Sequence, residues 1–314
     1  MAEIYPWQQP LWQQLAGRSQ HAHAYLLHGP SGIGKRALAE RLMAYLLCQS
    51  PSGLDACGNC KSCHLLAAGT HPDNFVLEPE EADKPIKVDQ VRELVDFVVQ
   101  TAQLGGRKVV LLEPAEAMNL NAANALLKSL EEPPANTLFF LMAHSPGRLL
   151  PTIRSRCRIL RLRALDDADL TRALNAIGAE LPEDEARRRL LLDQAGGSVR
   201  DALMLTRFSG LDIVSELQKL VDAPRFDAAA AYRVVEGVAA RDDGARFAVF
   251  NDAVLGRISE LARQAAAQGR LRQAADLSSF WQEATERIGA TRVYNLDKRQ
   301  HVVGLLRQLH EMAH

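Results

Sequence analysis

The chain has 314 residues, of which 47% are hydrophobic and 24% charged, enough apolar material for two or three cores, so wholesale disorder is excluded. A net charge of −1 gives no overall attraction to nucleic acid, so any DNA contact has to come from local patches or from partner chains. No stretch approaches the roughly 20 apolar residues needed to span a bilayer, and Met1 to Pro10 carry neither a basic start nor a continuous apolar segment, so a cytoplasmic protein without a membrane partner is expected.

Residues Tyr5 to Leu15 carry Trp7, Leu11, Trp12 and Leu15 at helical spacing and predict a short N-terminal helix that packs an aromatic face. His21, His23 and His28 flank the first predicted strand, Ala24 to Leu27; with no acidic or cysteine partner at a recognisable spacing, they read as strand-edge and loop residues rather than as ligands. Gly29-Pro30-Ser31-Gly32-Ile33-Gly34-Lys35 then opens a helix, Arg36 to Leu47. This is a phosphate-loop pattern. Gly29, Gly32 and Gly34 let backbone N–H groups approach phosphate oxygens, the helix N-terminus adds partial positive charge, and Lys35 reaches the terminal phosphates. Arg36 stands where the pattern needs a Ser or Thr hydroxyl for Mg²⁺, so ATP or ADP is expected to bind, if at all, without being hydrolysed. The competing reading is a former phosphate loop retained for its turn.

Four of the five cysteines fall between Cys48 and Cys63, in two C-x-x-C steps that share Cys60, with Cys48 at a helix end. Cys48, Cys57, Cys60 and Cys63 are enough to close a tetrahedral structural Zn²⁺ site, which has no open position and hence no catalysis. A redox pair, an iron–sulfur cluster and free thiols are the alternatives. The redox reading wants a single C-x-x-C opening a helix, and the cluster reading implies electron-transfer partners that nothing else suggests.

Asn74 to Leu77 is a second predicted strand, and Val88 to Thr101 an amphipathic helix capped by Asp89 with Val91, Leu94, Val95 and Val98 on one face. Arg107 to Glu113 is a buried run ending in a carboxylate, as in a Walker B strand where the acid assists Mg²⁺. Pro114 occupies the place of the water-polarising Glu, and Glu116 lies beyond it. Asn121 to Glu132 predicts a helix stopped by Pro133-Pro134, and Thr137 to Ala143 a fourth strand. Ile153-Arg154-Ser155-Arg156-Cys157-Arg158 is a basic cluster running into Ile159-Leu160-Arg161-Leu162, readable as a phosphate or DNA contact or as a solvated strand edge.

From Asp166 the pattern becomes helical. Ser198 caps a helix whose second residue, Arg200, is able to reach a phosphate in the first domain or, more simply, to pair with Asp201. Leu211 to His314 reads as helices throughout, with Tyr294-Asn295-Leu296-Asp297-Lys298 before a last amphipathic helix through Leu305, Leu306 and Leu309.

Together these motifs resemble the clamp-loader branch of the AAA+ family over nearly the whole chain. The resemblance is carried by Tyr5-Pro6-Trp7, the Gly29 to Lys35 loop, the four-cysteine knuckle, Asn124 to Pro134 (N-A-L-L-K-S-L-E-E-P-P), Ser155-Arg156-Cys157, and Asn295-Leu296-Asp297. It implies a RecA-like AAA+ P-loop domain with a parallel sheet and zinc knuckle at 1–165, a helical lid at 166–209 and an all-α collar at 210–314. It also implies a hetero-pentamer with gamma/tau-type ATPase subunits and a delta subunit that loads a sliding clamp onto primer-template DNA. Arg156 matches the arginine finger given in trans to a neighbour's ATP site. Active members carry Ser or Thr after the lysine and an Asp-Glu pair at the strand end. This chain departs from them at Arg36, Glu113 and Pro114, while keeping Lys35 and an Arg200 that matches their sensor arginine, so no independent turnover is expected. Two other readings stay open. One is an active ATPase with Glu113 on the metal and Glu116 as base; the other is a zinc-bearing DNA-binding module using Arg154, Arg156, Arg158, Arg161 and Arg163.

Overall fold

The computed structural model describes residues 5–81, 84–104, 106–238, 244–294 and 296–314, the side chains of Arg292 and Val293 excepted. Met1 to Ile4 and Asn295, both named above, lie outside the described residues. The chain's own contacts divide it into two compact units, Met1–Ala173 and Leu174–His314.

In the first unit five parallel strands form one sheet: β1 (Ala24–His28), β2 (Asn74–Leu77), β3 (Lys108–Leu112), β4 (Thr137–Ala143) and β5 (Arg158–Arg161), ordered β2-β3-β4-β1-β5. Leu26 sits opposite Leu141 on one side and Ile159 on the other. The helices are α1 (Gln9–Ala16), α2 (Lys35–Leu47), α3 (Lys61–Ala67), α4 (Val88–Val99), α5 (Leu120–Glu131), α6 (Pro151–Arg156) and α7 (Asp167–Ala176), the last crossing the division between the units at Ala173 and Leu174.

Continuous apolar strands are what a sheet covered on both faces requires, because successive side chains point to opposite sides. Ala24, Leu26, Val110, Leu112, Phe139 and Leu141 pack with Val91, Leu94, Leu126, Leu130 and Ile153 from α4, α5 and α6. Their alternates, Tyr25, Leu27, Val109, Leu111, Leu138 and Phe140, pack with Trp12, Leu15, Leu38 and Leu42 from α1 and α2. The result is a parallel sheet between two helical layers, in keeping with the RecA-like domain that the resemblance implies.

Three local details differ from the sequence reading. The first helix begins as a 3-10 turn over Pro6–Gln8, since proline fits a first turn whose N–H groups lack intrahelical partners. Lys87, not Asp89, is the extended residue ahead of α4, and its N–H donates to Gln90 Oε1 at 3.0 Å; Asp89 lies in the first turn and pairs with Arg92 at 2.7 Å. The basic cluster is divided by a secondary-structure boundary, with Arg154 and Arg156 closing α6, and Arg158 and Arg161 on the sheet-edge strand β5.

The second unit is helical in its described residues: α8 (Glu185–Ala195), α9 (Val199–Arg207), α10 (Gly210–Asp222), α11 (Ala228–Val238), α12 (Ala245–Ala267), α13 (Leu271–Val293) and α14 (Lys298–Ala313). Side-chain caps start α8, α9 and α14: Asp184, Ser198 and Asp297 accept backbone N–H groups from Arg187, Asp201 and Arg299. Across α12, α13 and α14, buried His301 lies 3.0 Å from Thr291 Oγ1 and 3.2 Å from the Asn251 amide. Burial and Arg287 lower its pKa to about 4, so the ring is neutral at pH 7. Nε2 faces Asn251 Oδ1, an acceptor, so Nε2–H donates to it and Nδ1 accepts from the Thr291 hydroxyl, which also lies 2.7 Å from the Arg287 carbonyl. No helix among the described residues is long and apolar enough to cross a membrane.

Candidate functional site

Parallel α/β sheets bind ligands at the carboxyl ends of their strands. Here the ends of β1, β3 and β4 bring the glycine loop, Glu113 and His144 together. The chain leaves β1 through Gly29, whose φ is 154° and where a Cβ would sit 2.1 Å from the Leu162 carbonyl oxygen, so only glycine fits. Gly32 and Gly34 have φ of 73° and 85°. The preceding segment braces the loop: Trp7 Nε1 donates to the Ile33 carbonyl at 3.3 Å and Gln8 Nε2 to that of Gly34 at 2.8 Å.

Lys35 is 3% exposed, and its ammonium donates to the carbonyls of Gly29 (2.9 Å) and Pro30 (2.6 Å) and to Nδ1 of His144 (2.9 Å). Burial pushes its pKa down against the pull of Glu113 and Glu116. Arg36 points to the ends of β2 and β3. Its Nε donates to Glu40 at 2.7 Å, its Nη1 to Glu78, and the same Nη1 lies 3.6 Å from Glu113 Oε2. Burial opposes its charge, but Glu40 and Glu78 carry its pKa above the usual arginine value. Glu113 is raised as well, in its case by burial and against the pull of Arg36 and Lys35.

The glycines, the helix start and Lys35 suit a phosphate group; the residues do not suit Mg²⁺. That ion requires oxygen donors, and Arg36 supplies none while placing a fixed cation beside Glu113. Glu116 is engaged elsewhere: its Oε1 accepts the backbone N–H groups of His144 (2.7 Å) and Ser145 (2.9 Å), so its carboxylate holds the chain after β4.

Arg156 ends α6. Its Nη1 donates to the Thr152 carbonyl at 3.0 Å and its Nη2 pairs with Glu131, the last residue of α5, at 2.6 Å. Both side chains remain open to solvent, 34% and 47% exposed. Cys157 beside it is buried, and burial pushes its thiol up to about 12, which makes it a packing anchor and not a nucleophile.

The four remaining thiols converge. Cys48 Sγ lies 3.5 Å from Cys57 and 3.8 Å from Cys60; Cys63 lies 4.0 Å from Cys57 and 3.5 Å from Cys60. All four sulfurs fall within 4.8 Å of one another. A tetrahedron with metal–sulfur bonds of about 2.3 Å has edges of about 3.8 Å, so the donor set fits a thiolate-bound ion such as zinc. Cys48 follows α2 and Cys60 caps α3, while Gly58, at φ 76°, turns the chain between them. The Cys57 and Cys60 N–H groups donate to the sulfurs of Cys48 and Cys57, both at 3.3 Å. Behind the knuckle, His71 Nδ1 accepts the Asp73 N–H at 3.1 Å, which leaves Nε2–H to donate to buried Ser62 at 3.1 Å. Asp73 in turn accepts the N–H groups of Gln103 and Leu104.

A family model described as DNA polymerase III, delta subunit, matches residues 7–166. DNA polymerase III subunit delta-prime of Pseudomonas aeruginosa is 61% identical over 226 residues, covering 70% of this chain and 68% of that protein. The chain belongs to the DNA polymerase III delta-prime subunit family. The Escherichia coli delta-prime subunit is 48% identical over 160 residues, 49% of this chain and 47% of that protein, so this match spans about half its length. Relationship extends to the tau subunit of Escherichia coli, 36% identical over 186 residues, which cover 59% of this chain and 28% of that protein.

In this chain, then, Lys35, Arg36 and Glu113 meet at one place, and Cys48, Cys57, Cys60 and Cys63 at another. Arg156 stands on the surface at the end of α6, and Arg200 is the exposed second residue of α9 in the second unit. Sequence reasoning missed His144, Glu78, Glu40 and Glu131 as partners of the motif residues. Each lies on a different element from its partner except Glu40, whose spacing of four from Arg36 was a usable helical signal.

Proposed function

We propose that this chain is the delta-prime member of a clamp-loader complex, giving Arg156 in trans to the ATP site of a gamma/tau-type neighbour and hydrolysing no ATP itself. The observation that carries the reading is the contact of Arg36 with Glu113, a cation fixed where hydrolysis requires Mg²⁺. Glu116, the one candidate base past Pro114, is held by two backbone N–H groups, which further favours a subunit without turnover. Arg156, solvent-accessible at a helix end, suits donation to another chain, where a guanidinium stabilises charge on the transferred phosphoryl group.

In this reading residues 1–165 form the AAA+ domain, 166–209 a lid carrying Arg200, and 210–314 a collar that joins gamma/tau-type and delta subunits in a hetero-pentamer. The pentamer, not this chain alone, engages the sliding clamp and primer-template DNA in the cytoplasm. Cys48, Cys57, Cys60 and Cys63 hold a structural Zn²⁺, and ATP or ADP occupies the Gly29 to Arg36 loop without being turned over. The test is clamp- and DNA-stimulated ATP turnover by the complex assembled with and without this chain, beside the isolated chain. Turnover that requires the chain in the complex and is absent from the chain alone supports the proposal. Hydrolysis by the isolated chain, lost in Lys35→Ala, contradicts it.

A further inference from the structure

β5 ends the sheet, pairing with β1 on one side and with no strand on the other among the described residues. Its register sets Ile159 opposite Leu26 and Arg161 opposite His28, and the Leu162 N–H donates to the His28 carbonyl at 2.9 Å. Alternate residues of a parallel strand turn their backbone groups to opposite sides, so Leu160 shares the β1 side with Leu162, while Ile159 and Arg161 turn N–H and C=O to the open edge. Side chains alternate as well. Leu160 and Leu162 are buried with Tyr25 and Leu27, whereas Ile159 is 55% exposed beside fully buried Leu26, so apolar surface continues from the core onto an uncovered edge. The same edge is strongly basic. Arg158, Arg161 and Arg163 are exposed and have no carboxylate partner among the described residues, although Arg36, Arg41, Arg92 and Arg156 of this unit each have one. Burial and the Arg161 charge lower the pKa of His28 across the ladder, as a cation without a nearby anion does.

We propose that β5 is a docking strand for an acidic, extended segment of a partner protein, which adds to the sheet edge alongside Ile159 and Arg161. The backbone groups of those two residues form a ladder that a polypeptide completes. Arg158, Arg161 and Arg163 meet carboxylates on the added strand, and Ile159 receives one apolar side chain between them. The strand has four residues, which sets the length of segment held in register. A second copy of this chain would bring the same arginines against these, so like charge disfavours self-pairing. A nucleic-acid strand would meet the arginines, but from Leu150 to Asp166 the sequence has no aromatic residue on which a base would stack, and the open N–H and C=O groups would stay unpaired. Docking here is separate from the donation of Arg156, whose side chain belongs to α6 and already has Glu131.

The test titrates the full chain into a fluorescein-labelled peptide that alternates glutamate and valine, read by anisotropy. Saturable binding is expected, weakened about tenfold or more in the double variant Arg158→Glu, Arg161→Glu and for a peptide with lysine in place of glutamate. Two further peptides carry N-methyl groups on alternate amides, one in each of the two possible registers. One of them is expected to lose binding by about tenfold or more and the other to keep it, because only one set of amides faces β5. This arm uses the wild-type chain, so it decides the matter even if the double variant does not fold. In the complex, hydrogen exchange is expected to slow at the amides of Ile159 and Arg161 and to stay unchanged at those of Leu160 and Leu162. No saturable binding at millimolar peptide, equal binding of both methylated peptides, or equal binding of the lysine peptide overturns the proposal. Displacement of the peptide by a tighter-binding oligothymidylate overturns it in favour of a nucleic-acid surface.

Discussion

The guanidinium of Arg156 rests on the carboxylate of Glu131 at 2.6 Å, joining the last residue of α6 to the last residue of α5. Both are open to solvent, so the pair adds at most about 1 kcal/mol to stability, and its consequence is orientation. Under the proposed donation of Arg156, Glu131→Ala is expected to leave the unfolding midpoint nearly unchanged and to lower turnover by the assembled complex about tenfold, since the guanidinium would lose its aim. The measurement is steady-state turnover with complex assembly checked. Loss of assembly or of stability in the variant would make Glu131 a structural residue instead.

Metal content offers an independent check on the knuckle. One zinc per chain is expected from protein purified without added metal, with four thiols becoming titratable after chelation while buried Cys157 stays slow. Cys60→Ser removes a ligand shared by both C-x-x-C steps and should abolish stoichiometric zinc and lower the thermal midpoint by several degrees. Iron, or no metal with four reactive thiols, would contradict the assignment.

Much of the fold was legible because β1, β3 and β4 are continuous apolar runs and α4 and α5 keep one apolar face; burial of a parallel sheet on both sides leaves that trace in sequence. The glycine loop and the cysteine knuckle were legible because each is local, its ligating atoms set by spacing within a short segment. What was illegible is pairing between distant elements. Nothing near Lys35 announces His144, more than a hundred residues away, and nothing near the knuckle announces that His71 would tie Ser62 to the start of β2. The basic run from Arg154 to Arg161 read as one patch because composition does not reveal that a helix ends and a strand begins inside it.

Gly29 is constrained by contact as well as by dihedral angle. An added Cβ meets the Leu162 carbonyl at 2.1 Å, a backbone atom that moves only if the start of the segment after β5 moves with it. Gly29→Ala is expected to cost at least about 2–3 kcal/mol in urea unfolding. A change under about 0.5 kcal/mol would show that the loop relaxes freely.

Acid should loosen the second unit through His301. Its pKa is about 4 in the folded chain against an ordinary 6.5, so between these values the unfolded chain binds the proton first. The stability contributed by the neutral ring is complete above about pH 6.5 and is lost as pH falls through the window to about 4. Urea unfolding followed from pH 7 to 4 should show a steeper decline for wild type than for His301→Gln, which keeps polar contacts to Thr291 and Asn251 but does not titrate. Identical slopes would exclude His301 as a source of the acid sensitivity.

The donation of Arg156 to a neighbour is tested most directly by clamp- and DNA-stimulated ATP turnover of the reconstituted complex, comparing wild type, Arg156→Ala and Arg156→Lys at equal assembly. A finger acting in trans predicts a fall of about a hundredfold or more in kcat for Arg156→Ala, little recovery with lysine, and no turnover by the isolated chain. Unchanged turnover in an intact complex containing Arg156→Ala would contradict the account and leave this chain a structural member of the ring.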